Sequence, residues 1–87
     1  MTDLAAWLLA VIDNDEWNAR QDRVSAEVDG WEWYVLRVLA ECAAKRAIVE
    51  RYVYLAGHGD SGDARWVLAA LALPYADRPG YRAEWRP

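Results

Sequence analysis

The first apolar pattern along the chain is helical. Four aliphatic residues recur at the three- and four-residue spacing of one helix face: Leu4, Leu8, Val11 and Ile12. Thr2 and Asp3 are good N-caps, so the pattern predicts a first helix from Thr2 to about Arg23. Residues 24–30 read VSAEVDG and contain a strong turn dipeptide, Asp29-Gly30, which predicts a connection between helices.

A longer second helix is predicted from Trp31 to Ala56, because this interval has no glycine or proline before Gly57. It carries two apolar stripes, roughly a third of a turn apart. The first stripe contains Val35, Val38, Cys42, Val49, Val53 and Ala56. The second stripe contains Leu36, Ala40, Ala43, Ala47 and Tyr54.

Two apolar stripes on one helix require two neighbours. The predicted first helix is too short to cover more than one stripe fully. We therefore expect a homodimer through the long helix, since two-fold pairing is the commonest way to cover such a patch. The alternative is a monomer in which the C-terminal tail folds back over the second stripe.

A third helix is predicted from Asp63 to about Leu73, after a glycine-rich loop at residues 57–62 and before Pro74. The last segment, LPYADRPGYRAEWRP, contains Tyr75, Tyr81 and Trp85, and we expect it to be ordered on the core. The chain thus reads as an all-α protein, a single helical domain over residues 1–87. Its architecture is three helices with one long central helix and an ordered aromatic C-terminal tail.

The aromatic content is unusual, with six tryptophans, five tyrosines and no phenylalanine in 87 residues. Core filling is the interpretation we favour, and a surface that meets a partner is the alternative. Cys42 is the single cysteine, which excludes an internal disulfide and a four-thiolate metal site. The N-terminal apolar run is too short to span a bilayer and lacks signal-peptide features, so we expect a cytoplasmic protein.

The net charge is −4, and the charged residues are unevenly distributed along the chain. Residues 1–44 hold nine acids against three arginines, whereas residues 45–87 hold seven basic residues against five acids. The low pI of about 4.8 counts against nucleic-acid binding. A small nucleic-acid-associated regulator remains the alternative function, and it would use the basic residues of the second half: Lys45, Arg46, Arg51, Arg65, Arg78, Arg82 and Arg86.

Three short motifs resemble catalytic or metal-binding sequences but lack the required context. The glycines at 57, 59 and 62 fit a dinucleotide fingerprint, yet a predicted helix precedes them where that fingerprint needs a strand. The GDSG at residues 59–62 has His58 beside it and no oriented base. Asp13-x-Asp15 fails the EF-hand pattern at its sixth and twelfth positions. We expect no enzyme activity, no cofactor and no bound metal.

An acidic and aromatic patch surrounds the predicted connection: Glu27, Asp29, Trp31, Glu32, Trp33 and Tyr34. Carboxylates between tryptophans repel phosphate, unlike the basic aromatic platforms that bind single strands. The favoured interpretation is that Trp31 and Tyr34 pack while the acids are solvated. The alternative is a protein-docking patch, and these six residues are the candidate partner-binding site.

Two stretches, VLAECAAKRAIVERY at 38–52 and LALPYADRPGYRAEW at 71–85, together resemble a family of small actinobacterial and actinophage proteins, a domain of unknown function. The resemblance covers roughly the C-terminal 50 residues. It implies an actinobacterial or phage origin and an intracellular accessory protein, and it transfers no functional residues. Members often carry a longer, His-containing segment before the long helix; this chain has no histidine there. The expected function is a non-enzymatic protein-interaction or accessory role, with a host or phage protein as a possible partner.

Overall fold

The computed structural model describes residues 2–59 and 61–87, and within them the chain forms three α-helices. Helix α1 spans Asp3–Asp29, α2 spans Glu32–Gly57 and α3 spans Ser61–Ala72. Two short 3-10 helices follow, at Leu73–Tyr75 and Ala83–Trp85. The all-α class, the long second helix and the ordered aromatic tail are thereby confirmed.

Helix α1 is longer than the apolar pattern predicted. The Thr2 hydroxyl accepts a hydrogen bond from the Ala5 N–H at 3.2 Å, which caps the helix as expected. The prediction of a connection at residues 24–30 is wrong, because the helix continues to Asp29. Ala26 keeps the helical register and is buried with Val35, so packing against α2 extends the helix. Gly30 ends it with a φ of +83°, a conformation that glycine adopts without strain.

Helices α1 and α2 form an antiparallel hairpin. Arg46 in the middle of α2 contacts Asp13 and Glu16 of α1, and Arg23 near the end of α1 reaches Glu32 at the start of α2. The described molecule measures 48 × 24 × 16 Å. The hairpin sets the long dimension, since 26 helical residues extend about 39 Å.

The hairpin contains two separate cores. The base core lies at the end where α3 and the tail pack, and its buried members are Leu4, Ala5, Leu8, Val11, Ile12, Cys42, Val49, Leu68, Ala69, Ala72, Tyr75 and Trp85. The tip core lies near the α1–α2 turn and consists of Ala19, Ala26 and Val35, with Trp31, Val38 and Leu39 partly buried against it. The tip half is therefore a two-helix layer with small side chains at its centre.

The C-terminal tail folds back over the start of α1. Trp7, Tyr81 and Trp85 form an aromatic cluster with ring centroids 5.4 to 5.8 Å apart. Two ion pairs fix the tail to α1: Arg78 Nη1 lies 3.0 Å from Asp15 Oδ1, and Arg82 Nη1 lies 3.3 Å from Asp3 Oδ2. The tail is consequently part of the base of the molecule.

The tryptophans divide between core and surface. Trp85 is buried, and Trp7 and Trp31 are half-buried. The core-filling prediction is wrong for the remaining three, since Trp17, Trp33 and Trp66 are 61, 62 and 63 % exposed. Among the described residues, no helix combines the length and the apolar character needed to cross a membrane.

Candidate functional site

The candidate site is the side of α2 that points away from α1. We define the outer face of α2 by these exposed residues: Trp33, Leu36, Arg37, Ala40, Ala43, Ala44, Ala47, Glu50, Arg51 and Tyr54. It contains the whole second apolar stripe identified in the sequence. The first stripe is occupied within the chain, because Val35, Cys42 and Val49 are buried. The second stripe has no covering element among the described residues.

The outer face has a regular internal order. Its central line consists of four residues, each seven positions from the next: Trp33, Ala40, Ala47 and Tyr54. This line is about 31 Å long. Residues three positions after the first three of these form one edge, here named the acidic edge: Leu36, Ala43 and Glu50. Residues four positions after them form the opposite edge, the basic edge: Arg37, Ala44 and Arg51. Large aromatic side chains thus lie at the two ends, and alanines lie between them.

The alternative that the aromatic tail covers the second stripe is wrong. The tail packs on the opposite side of α2, where Lys45 Nζ donates a hydrogen bond to the Tyr75 hydroxyl at 2.6 Å. Tyr81 and Trp85 pack against Trp7 of α1. The outer face consequently exposes Trp33, Tyr54 and Leu36 by 62, 52 and 45 %.

The charged residues of the outer face are available to a partner. The guanidinium of Arg37 lies 5.7 Å from the centre of the Trp33 ring, and that of Arg51 lies 5.3 Å from the Tyr54 ring. Within the described part of the chain, neither arginine forms an ion pair with a carboxylate, and Glu50 forms none with a basic group. These three side chains, Arg37, Glu50 and Arg51, are therefore available for ion pairs with a bound partner.

The acidic and aromatic patch predicted from the sequence surrounds the tip of the hairpin, but its members do not share one surface. Glu27 and Glu32 both lie 3.5 Å from the guanidinium of Arg23, so these two acids are ion-paired with one residue. Asp29 is the exposed last residue of α1.

The three aromatic residues of the patch also differ in their surroundings. Trp31 is half-buried against the tip core, whereas Trp33 and Tyr34 are exposed and meet edge to face at 6.0 Å. Trp31 and Tyr34 line a side cleft, and Trp33 belongs to the outer face of α2. The six residues thus divide among several surroundings, and the seven-residue spacing of the outer face was readable in the sequence.

The side cleft, with a volume of about 330 Å³, lies between the hairpin and the tail. Its floor includes the thiol of Cys42, and its wall includes Lys45 and the Asp15–Arg78 ion pair. Burial raises the pKa of the Cys42 thiol above the ordinary 9.0, and the charge of Asp15 acts in the same direction. Partial burial lowers the pKa of Lys45, but the hydrogen bond to Tyr75 and nearby charges outweigh it, so this pKa is raised above 10.5. At neutral pH these shifts favour the protonated forms of both groups, which are poor nucleophiles.

In the described part of the glycine-rich loop, His58 packs against helix α2. Gly57 ends helix α2, and Asp60 lies outside the described residues. The His58 ring stacks on Tyr54 at 4.0 Å, and its Nδ1 lies 2.7 Å from the Tyr54 carbonyl oxygen. In residues 2–59 and 61–87, no group of three or more His, Cys, Asp or Glu side chains is placed to hold a metal ion.

A second exposed apolar row lies on α1 and was missed in the sequence analysis. Trp17, Val24 and Val28 are exposed and spaced seven and four residues apart, which places them on one helix face. The signal was present, but residues 24–30 were interpreted as a connection, so the row was not recognised.

Fold and face together define a small all-helical protein whose second helix packs on one side and is open on the other. The model of the Family of unknown function (DUF6221) matches residues 1–87, and the chain belongs to that family. The match includes the first helix, beyond the C-terminal residues that carried the resemblance. Searches of curated proteins and of solved structures found no match to the chain.

Proposed function

We propose that this protein is a non-enzymatic accessory protein that binds another polypeptide through the outer face of α2. The observation that carries the proposal is the exposure of a complete apolar helix face, with Trp33 and Tyr54 at its ends, while the opposite face is buried. Contiguous apolar surface of this kind marks interaction sites on small soluble domains. The cytoplasm of an actinobacterial or phage-infected cell is the proposed setting.

The composition of the face supports a polypeptide as its ligand. Tryptophan, tyrosine and arginine are the residues most enriched at the energetic centres of protein interfaces, and Trp33, Tyr54 and Arg51 supply one of each. Alanines between the aromatic ends allow the axis of a second helix to approach to about 8 Å. A helix is therefore the element that fits the face best.

Most of the basic residues that could bind phosphate already form ion pairs or hydrogen bonds within the protein. This favours polypeptide binding over nucleic-acid binding. Arg46, Arg78 and Arg82 form ion pairs with carboxylates of α1, and Lys45 donates to Tyr75. Four of the seven basic residues named for phosphate binding thus have partners inside the fold. An electrophoretic mobility shift that weakens steeply with salt would support the nucleic-acid alternative instead.

The non-enzymatic part of the proposal is supported by the state of Cys42. This thiol is 3 % exposed and its pKa is raised by burial, so the reactive thiolate is disfavoured. Lys45, the amine nearest to it in the cleft, is held protonated by its bond to Tyr75.

Photo-crosslinking in living cells tests the proposal. We would place p-benzoylphenylalanine at position 36 on the outer face, and at position 21 on α1 as an exposed control. We expect polypeptide adducts from position 36 that exceed those from position 21, in an actinobacterial cell expressing the full chain. Adducts equal at both positions, or absent from position 36, would contradict a polypeptide-binding role for this face.

A further inference from the structure

We propose that the polypeptide bound by the outer face of α2 is a second copy of this chain, with the two α2 helices parallel. The inference rests on the proposed function, because it names the partner and the orientation at the same face. It is carried by the charges on the two edges of the face, which are complementary in one orientation only.

In a parallel two-fold pair, the acidic edge of one copy meets the basic edge of the other. Glu50 of each copy then lies beside Arg51 of its partner, because these positions flank Ala47 on opposite sides at almost the same height. Two such ion pairs form, one on each side of the two-fold axis. Neither group has an ion-pair partner among the described residues, so both are free to form this contact.

An antiparallel pair brings like edges together instead. With the central lines aligned, Arg37 of one copy would meet Arg51 of the other, and Glu50 would face Leu36. The two contacts between Arg37 and Arg51 disfavour this orientation. Leu36 lies beside a charged residue in either case, Glu50 here and Arg37 in the parallel pair. The charge pattern therefore selects the parallel arrangement.

The central line is also compatible with its own copy in the parallel register. Ala40 and Ala47 each meet the same residue of the partner, where small side chains permit close approach of the helices. Trp33 and Tyr54 pair with their own copies at the two ends, as aromatic rings do at interfaces. The tail and α3 pack away from this face, so they leave room for the second copy.

Disulfide trapping tests the orientation. Single cysteines would replace Ala40 or Ala47 in a Cys42→Ala background, and a Gln21→Cys variant would serve as an exposed control on α1. In a parallel dimer residue 40 faces its own copy, so Ala40→Cys alone crosslinks in a glutathione redox buffer. In an antiparallel dimer, residue 40 of one copy and residue 40 of the other would be about 10 Å apart along the helix axis. A disulfide spans at most roughly 7 Å between Cα atoms, so Ala40→Cys could not crosslink to its own copy.

We expect crosslinked Ala40→Cys and Ala47→Cys homodimers, and no mixed product when the two variants are combined. A mixed 40–47 disulfide would overturn the parallel orientation and leave the proposed function standing. Crosslinking no greater than that of Gln21→Cys, with light scattering giving 9.9 kDa at all concentrations, would overturn the second copy as partner. The photo-crosslinking result would then decide the proposed function independently.

Charge reversal gives a second test that leaves the fold intact, because both residues are exposed. Glu50→Arg and Arg51→Glu should each weaken self-association at least about fivefold, measured as the dimer Kd by analytical ultracentrifugation. An equimolar mixture of the two variants should recover wild-type affinity, because each charge then meets its opposite. Tighter association of Arg51→Glu alone would indicate the antiparallel pair and overturn the proposal.

Discussion

The backbone of Gly80 lies directly against the indole ring of Trp7. A Cβ atom at position 80 would be 2.8 Å from Trp7 Nε1, closer than such contacts allow. The same indole N–H donates a hydrogen bond to the carbonyl oxygen of Pro79 at 3.0 Å. Residues near the two ends of the chain are thus joined by a contact that only glycine at position 80 permits.

Gly80→Ala should lower the free energy of unfolding by more than the backbone penalty alone. Gly80 has a φ of +88°, which costs an alanine about 1–2 kcal/mol, and the new methyl group must also displace Trp7. Gly30→Ala is the matched control, since its φ is +83° with no atom near the added Cβ. Urea denaturation of both variants checks this, and equal losses of stability would show that the Trp7 contact is unimportant.

Removal of the tail beyond residue 73 should strongly destabilise the protein, because it deletes Tyr75, Tyr81 and Trp85 from the base of the molecule. The point variant Trp85→Ala should cost about 3–5 kcal/mol, since this side chain is 7 % exposed. Trp66→Ala, at 63 % exposure, should stay within about 0.5 kcal/mol of wild type. Thermal melts measure both variants, and equal melting temperatures for Trp85→Ala and Trp66→Ala would contradict a structural role for the tail.

Stability should decrease at alkaline pH in a manner that depends on Lys45. Its pKa is raised in the folded state by the bond to Tyr75, so the stabilisation is present below the ordinary 10.5. It is lost as the pH rises through the folded-state value. Unfolding of wild type and Lys45→Met, measured from about pH 9 to about pH 11.5, should show a steeper loss for wild type.

Tyr75→Phe is the control for the alkaline effect, because it removes the hydroxyl that accepts the hydrogen bond from Lys45 Nζ. It should flatten the pH dependence as Lys45→Met does. The Cys42 thiol also titrates in this window, because burial raises its pKa, while the charge of Lys45 lowers it. All three proteins are therefore compared in a Cys42→Ala background. Parallel pH curves for wild type and Lys45→Met would rule out the lysine as the source.

Amide hydrogen exchange should be faster in the tip half of the hairpin than in the base. The tip core has two alanines and Val35 at its centre, whereas the base core includes Leu8, Ile12 and Val49 with a third layer of helix. We expect exchange at least about tenfold faster in residues 17–28 than in residues 4–12, measured on a dilute sample. Val35→Ala should accelerate exchange in the tip and leave the base unchanged; uniform protection along α1 would be contrary evidence.

Apolar spacing and capping residues predicted the start of α1, the extent of α2 and its second apolar stripe, but not the end of α1. Thr2 before an apolar repeat predicted the start of α1 correctly, whereas the predicted end near Arg23 is wrong, because the helix continues to Asp29. Local sequence favours a connection there, since β-branched Val24 and Val28 are weak helix formers. Burial of Ala26 against Val35 reverses that preference, and such a contact between distant residues has no local signal.

The sequence by itself determined the all-α class, the two stripes of α2 and the seven-residue order of the outer face, because helix geometry fixes which residues share a side. Only the tertiary structure decided which stripe is covered and by what. Lys45 bonds Tyr75 and the tail packs on Trp7, so the tail is directed away from the outer face. Which stripe of α2 is covered depends on the position of the later elements after two turns of the chain. The spacing of residues along one helix carries no information about that position.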